Sequence, residues 1–150
     1  MADAQVLKFT ADLEKFSKAI GATLGQAIRR VTIEMSDGFA ENTPVDTGRA
    51  AGSWGIDFDQ PGTFEQPESF AGGRAAAQAA VKEQQAKLAD VDRNPYRQVW
   101  IYNNLPYIQP LNEGHSQQAP AGFVELQVAQ AEANIDGILA QAEEENGIRG

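Results

Sequence analysis

From Leu13 to Phe39 the apolar positions Leu13, Phe16, Ile20, Leu24, Ile28, Val31, Met35 and Phe39 follow one another in steps of three or four. At 3.6 residues per turn this spacing keeps one apolar stripe on one face, and it predicts a long amphipathic helix. Leu7 and Phe9 precede it, and Thr10 or Asp12 is the expected cap, with Glu14 favouring the first turn. Pro44 ends the pattern, because the residue before a proline avoids the α region. Gly21 and Gly25 each cost about 1 kcal/mol relative to alanine inside a helix. They read either as tolerated surface glycines or as a bend or close approach of a second element. Arg29 and Arg30 read either as solvated surface or as a contact.

After Pro44 the periodicity changes. Val45-Asp46-Thr47-Gly48 reads as a turn, with Asp46 accepting from the following amides and Gly48 taking positive φ. Arg49 to Phe58 alternates loosely through Ala51, Trp54, Ile56 and Phe58, as a strand would. Residues 59–73 form a loop too long for a tight hairpin. Arg74 to Ala89 is a helical run whose large anchors are Val81 and Leu88 alone, which predicts a surface position. Tyr96 to Tyr102 reads as a second strand, ended by Asn103-Asn104. Leu105 to Asn112 is a short helical or irregular turn packed by Tyr107, Ile108 and Leu111, and 115–122 is a loop. Phe123, Val124, Val128, Ala131, Ile135 and Ile138 or Leu139 mark a second amphipathic helix, and 141–150 reads as a flexible acidic tail. The expectation is a single α+β domain over 1–150. A small antiparallel sheet packs against a long N-terminal helix and a C-terminal helix, with 59–90 an extended excursion between the strands.

Composition narrows the function. At 150 residues one hydrophobic core is the default, and 42% apolar residues, many of them alanine, predict a modest one. With no cysteine there is no disulfide, cysteine metal site or thiol nucleophile. Met1-Ala-Asp-Ala-Gln resembles no secretory signal, and no apolar run reaches membrane-spanning length, so an intracellular protein without a membrane partner is expected. The net charge is -9, and the last fifty residues carry seven acids against one base, Arg149. Such a surface repels phosphates, so sequence-reading nucleic-acid binding is not expected.

Candidate chemistry is sparse. His115, the only histidine, has Glu113 and Ser116 beside it in a polar loop, and that adjacency sets no catalytic geometry. Asp46, Asp57 and Glu113 follow no metal-ligand spacing, and neither phosphate-loop nor dinucleotide motifs occur. No catalytic residue, metal or cofactor is therefore expected. Structural readings suit the two densest stretches better. Gly48 lets Arg49 swing out beside the strand, Glu113-Gly114 makes a tight turn where Arg49 is a candidate ion-pair partner, and Pro120 suits the first turn of the last helix. Trp54, Trp100, Tyr102 and Tyr107 read as core or as interface aromatics.

Those two stretches carry a resemblance. Asn42-Thr-Pro44-Val-Asp46-Thr47-Gly48-Arg49, followed by Ser53-Trp54, resembles the Pro-x-Asp-Thr-Gly turn of siphophage tail-completion, or head–tail joining, proteins. Trp100-Ile-Tyr102-Asn, then Tyr107, Glu113-Gly114 and Ala119-Pro120-Ala-Gly122-Phe123 resemble that family's second signature, in the same order. The likeness spans about residues 5–140. It departs at 59–90 and in a longer stretch before Glu113.

The resemblance implies a non-enzymatic virion protein at the neck or upper tail, present in host cytoplasm during assembly. It implies a ring, expected to be hexameric, that binds a connector or stopper protein and a tail terminator or tail tube protein. DNA would pass through the lumen unread, past the acidic C-terminal third. The 59–90 excursion is expected to reach a neighbouring subunit or the adjacent ring, to order on docking, and to be separable from the monomer fold. A tail terminator ring, a small accessory enzyme and an adaptor domain are the alternatives.

Overall fold

The computed structural model describes residues 4–114 and 121–148, with side chains from Lys18 onward. Helix α1 spans Ala4–Asn42, β1 Gly55–Phe58, α2 Gly73–Gln85, β2 Val99–Tyr102, α3 Ile108–Asn112 and α4 Phe123–Glu145. The fold is α+β: a two-stranded antiparallel sheet, a long N-terminal helix, a C-terminal helix, and a long excursion between the strands. The register pairs Gly55 with Tyr102, Ile56 with Ile101, Asp57 with Trp100 and Phe58 with Val99.

The stripe from Leu24 to Phe39 makes α1 the spine of the molecule. Its helix begins at Ala4, before the expected caps at Thr10 and Asp12, so both lie inside it. Polar residues buried along the spine satisfy themselves locally. Thr23, Thr32 and Ser36 donate to the carbonyls of Ala19, Ile28 and Thr32 at 2.8, 2.7 and 2.7 Å, the pattern by which short hydroxyl side chains survive in helix interiors. Helix α4 runs antiparallel beside α1. Gln127 meets Asn42, Asn134 meets Glu34, and Asn146 meets Gln26. Arg30 pairs with Glu145 at 2.7 Å, and Arg29 pairs with Asp92, so both arginines serve contacts.

The expected acidic tail is helical through Glu145. Ala142 is fully buried, because a small side chain allows close approach to α1. Gly21 and Gly25 mark a close approach as well: a Cβ at either would meet Pro95 at 3.6 or 3.7 Å.

Two clusters form the core. Phe39, Ala40, Trp54, Val81 and Phe123 make the first, with Phe39 and Trp54 stacked at 4.4 Å between ring centroids. Ile56, Leu88 and Val91 make the second. Helix α2 lies at the surface with one face buried: Gln78, Ala79, Lys82 and Glu83 are exposed, and the opposite face enters the core. Ala77 and Val81 are fully buried and Leu88 is 1% exposed, because alanines let the backbone come close enough for two anchors to suffice. The expected strand over Arg49–Phe58 is shortened to β1 by a 3-10 turn at Ala51–Ser53. There Ser53 Oγ donates to the Arg49 carbonyl at 2.7 Å. The second strand likewise starts only at Val99, since Arg97 turns aside to Asp59 and Phe58.

Candidate functional site

The Pro44–Trp54 stretch forms the joint between spine and sheet. Pro44 is buried behind the end of α1, where Thr43 Oγ1 donates to the Phe39 carbonyl and accepts from Trp54 Nε1 at 2.9 Å. Gly48 sits at φ +91°, and a Cβ there would overlap the Gly73 carbonyl oxygen and stand 2.9 Å from its carbon. Positive φ and lack of space each require glycine. Asp46 and Thr47 are exposed. The turn is closed by Thr47, whose Oγ1 accepts from Arg49 N at 3.2 Å and whose carbonyl accepts from Gly73 N at 3.0 Å.

Arg49 does not pair with Glu113. Its Nε donates to the Gln66 carbonyl at 2.8 Å and its guanidinium meets Glu65 at 3.3 Å, because the 59–72 loop folds back over the turn. Glu113 is exposed and accepts from Gln109 at 3.1 Å, one helical turn earlier.

The second stretch shapes the start of α4. Tyr107 is 39% exposed, Gly114 takes φ +94°, and Gly122 is the αL cap residue before Phe123, which is buried in the first cluster. Pro120, Ala119 and His115 lie outside the described residues. Helix α4 starts at Phe123. The amide of Val124 is capped from a distance by Asn112 Oδ1 at 2.8 Å, while Asn112 Nδ2 donates to Glu125 and holds that carboxyl below its ordinary pKa. Trp54 from the first stretch and Phe123 from the second share one core cluster. Asp46, Thr47 and Glu113 stay at the surface.

The excursion is tied down within the chain. Gln66 N donates to Ser53 Oγ at 3.0 Å, Asn104 Nδ2 to the Gly62 carbonyl at 3.0 Å, and Phe70 lies against Gly52. Beneath it Tyr102 donates its hydroxyl to Asp57, and Lys87 contacts Asp57 at 3.4 Å and Gln84 Oε1 at 2.9 Å. Burial, and then the bond to Asp57, push the Tyr102 hydroxyl up to about 12, so at neutral pH it is a hydrogen-bond donor rather than a nucleophile. Within the single chain, residues 59–90 thus pack onto the fold and contribute buried Val81 and Leu88 to its core.

Among the described residues no three of His, Asp or Glu are grouped to hold a cation, so Asp46, Asp57 and Glu113 do not converge. No described helix is long and apolar enough to cross a membrane.

An apolar groove of about 660 Å³ opens between α1, β2 and α4. Helix α1 supplies Leu24, Ile28, Val31 and Met35 to it, and β2 supplies Val99, Trp100 and Ile101. Helix α4 adds Val124, Val128, Ile135 and Leu139, and Phe39 and Trp54 also line it. Trp100 remains 40% exposed and Ile135 39%. A well-formed apolar pocket of this size is the default binding-site reading. The sequence carried one signal for it: Val99-Trp-Ile-Tyr102 is apolar at every position, whereas a two-stranded sheet with one solvated face needs alternation. Arg74 carried no such signal. Its guanidinium donates to the carbonyls of Ala40 and Thr43 at 2.7 and 3.1 Å and so caps the C-terminal end of α1.

No protein-family model matches this chain, and no curated protein or solved structure matches it either.

Proposed function

We propose that the chain is a non-enzymatic ring subunit at the neck of a long-tailed phage, completing the tail and joining it to the head connector around the DNA channel. The observation that supports this reading best is the order of the elements around the two signatures. The Pro44-Val-Asp46-Thr-Gly48 turn links the long first helix to the first strand, and Gly122-Phe123 opens the last helix. Trp54 and Phe123 then bring both signatures to one core. An assembly role also suits an apolar groove with aromatic and aliphatic residues left at its rim, since aromatic residues are enriched at interfaces. Glu125, Glu132, Asp136 and Glu144 are exposed on α4, which carries no base, so a lumen-facing α4 would let DNA slide without adhering.

Cryo-electron microscopy of the neck of the particle encoded with this chain tests the proposal. The expected result is a ring of this chain between connector and tail tube, with α4 toward the lumen. Density capping the tube without touching the connector would replace joining by tail termination. Absence of the chain from the particle would overturn the reading, and α4 on the outer rim would overturn its electrostatic part.

A further inference from the structure

The groove opens along α1, and α1 continues beyond it. Leu24, Ile28, Val31 and Met35 line the groove, and the same stripe runs on to Ile20, which is 36% exposed. In the sequence it continues at helical spacing through Phe16, Leu13 and Phe9. Toward its N-terminus α1 meets Asn146 at Gln26 and then Pro95 and Tyr96 at Gly21. Its helical backbone starts at Ala4, which at 1.5 Å per residue lies about 25 Å beyond Gly21. One molecule therefore carries both an apolar groove and, past it, a helical segment whose sequence repeats apolar residues at helical spacing. The helix cannot fill its own groove, because it is rigidly continuous with the groove-lining part of α1.

We infer that the groove receives residues 4–20 of α1 from a second copy of this chain. Phe9, Leu13, Phe16 and Ile20 follow the i, i+4, i+7, i+11 pattern by which an amphipathic helix enters an apolar groove. A volume of about 660 Å³ has room for several large side chains. Charge agrees. The arm carries Lys8, Lys15 and Lys18 against Asp12 and Glu14, whereas α4 beside the groove exposes Glu132 and Asp136 and holds no lysine or arginine. Arg97 in the groove lining is held by Asp59 at 2.9 Å. Arm and groove are different surfaces, so the contact is head-to-tail and closes into a ring or propagates, unlike a two-fold dimer. This contact deepens the assembly reading. It is measured on purified protein, so its failure leaves a neck location standing, and absence from a particle leaves the contact standing.

The chain has no cysteine, which makes single-cysteine variants unambiguous. Full-length Phe16→Cys and Ile135→Cys chains with different tags are mixed at high concentration under mild oxidation. Asn134, next to position 135, bonds Glu34, which lies about 27 Å along α1 from position 16, so positions 16 and 135 of one molecule are far apart. A disulfide needs Cα atoms within about 7 Å. The expected product is the mixed-tag disulfide in excess over either same-tag product, lost when Leu13→Glu is added to the Phe16→Cys chain. Circular dichroism checks that this addition leaves the helix content unchanged. Predominant Phe16→Cys homodimers would mean that the arms pair with each other, and predominant Ile135→Cys homodimers that the grooves do. Either result, or no disulfide at all, overturns the inference.

Discussion

Gly48→Ala tests whether the joint between spine and sheet is held as tightly as its geometry requires. Gly48 is at φ +91° and buried, and a Cβ there would overlap the carbonyl of Gly73. Left-handed backbone costs a residue with a Cβ roughly 1–2 kcal/mol. Relief of the overlap has to displace backbone on both sides. That weakens the bonds from Gly73 N to the Thr47 carbonyl at 3.0 Å and from Gly52 N to the Gly48 carbonyl at 2.8 Å, each worth about 1 kcal/mol net. The expected loss is about 3–4 kcal/mol. Gly73→Ala is the internal control. Gly73 also has positive φ, at +67°, but a Cβ there meets nothing within 4 Å, so only the strain of about 1–2 kcal/mol should appear. Urea unfolding followed by far-ultraviolet circular dichroism measures both. With a slope of about 2 kcal/mol per molar, Gly48→Ala should lower the midpoint by roughly 1.5–2 M. Equal midpoints for the two variants, or a Gly48→Ala midpoint at the wild-type value, would refute the argument from close approach.

Arg74→Ala should cost about 1–3 kcal/mol by removing charge-assisted bonds to two terminal carbonyls of α1, with Arg74→Lys recovering part of it in the same unfolding assay. Asn112→Ala should cost about 1 kcal/mol, since it uncaps Val124 at the start of α4. Tyr102 should ionise near 12 instead of 10.0 in a spectrophotometric titration. Between those values the unfolded chain has released the phenolic proton and the folded chain retains it, so stability falls as pH rises through this window. The fall is on the order of 2–3 kcal/mol, and Tyr102→Phe should abolish that part of the slope; an unchanged slope would contradict it. Deletion of 62–88 should unfold the chain, because it removes buried Val81 and Leu88; a deletion variant with a cooperative transition near the wild-type midpoint would show otherwise.

Helices α1 and α4 and the strand character of Ile56 and Ile101 were legible in the sequence because apolar periodicity is a local property, written in steps of three, four or two. Gly48 was legible too, since a turn after a helix that stops at a proline needs positive φ somewhere. The order helix, strand, excursion, strand, helix follows from these local signals, and so does the α+β class.

Partner choice was not local. Arg49 finds Glu65 and Gln66 rather than Glu113 because the 59–72 loop closes over it. Arg74 caps a helix that ends more than thirty residues earlier in the chain. One face of helix α2, poor in large anchors, nonetheless enters the core, because alanine permits an approach that hydrophobicity alone does not foretell. The groove depends on the same distinction. Its residues come from α1, β2 and α4, each supplying an apolar edge that its own periodicity explains, and only the spacing at which α4 and β2 settle along α1 leaves a gap between them. Local sequence determined the elements and their apolar faces; long-range packing decided which faces were covered and which remained open.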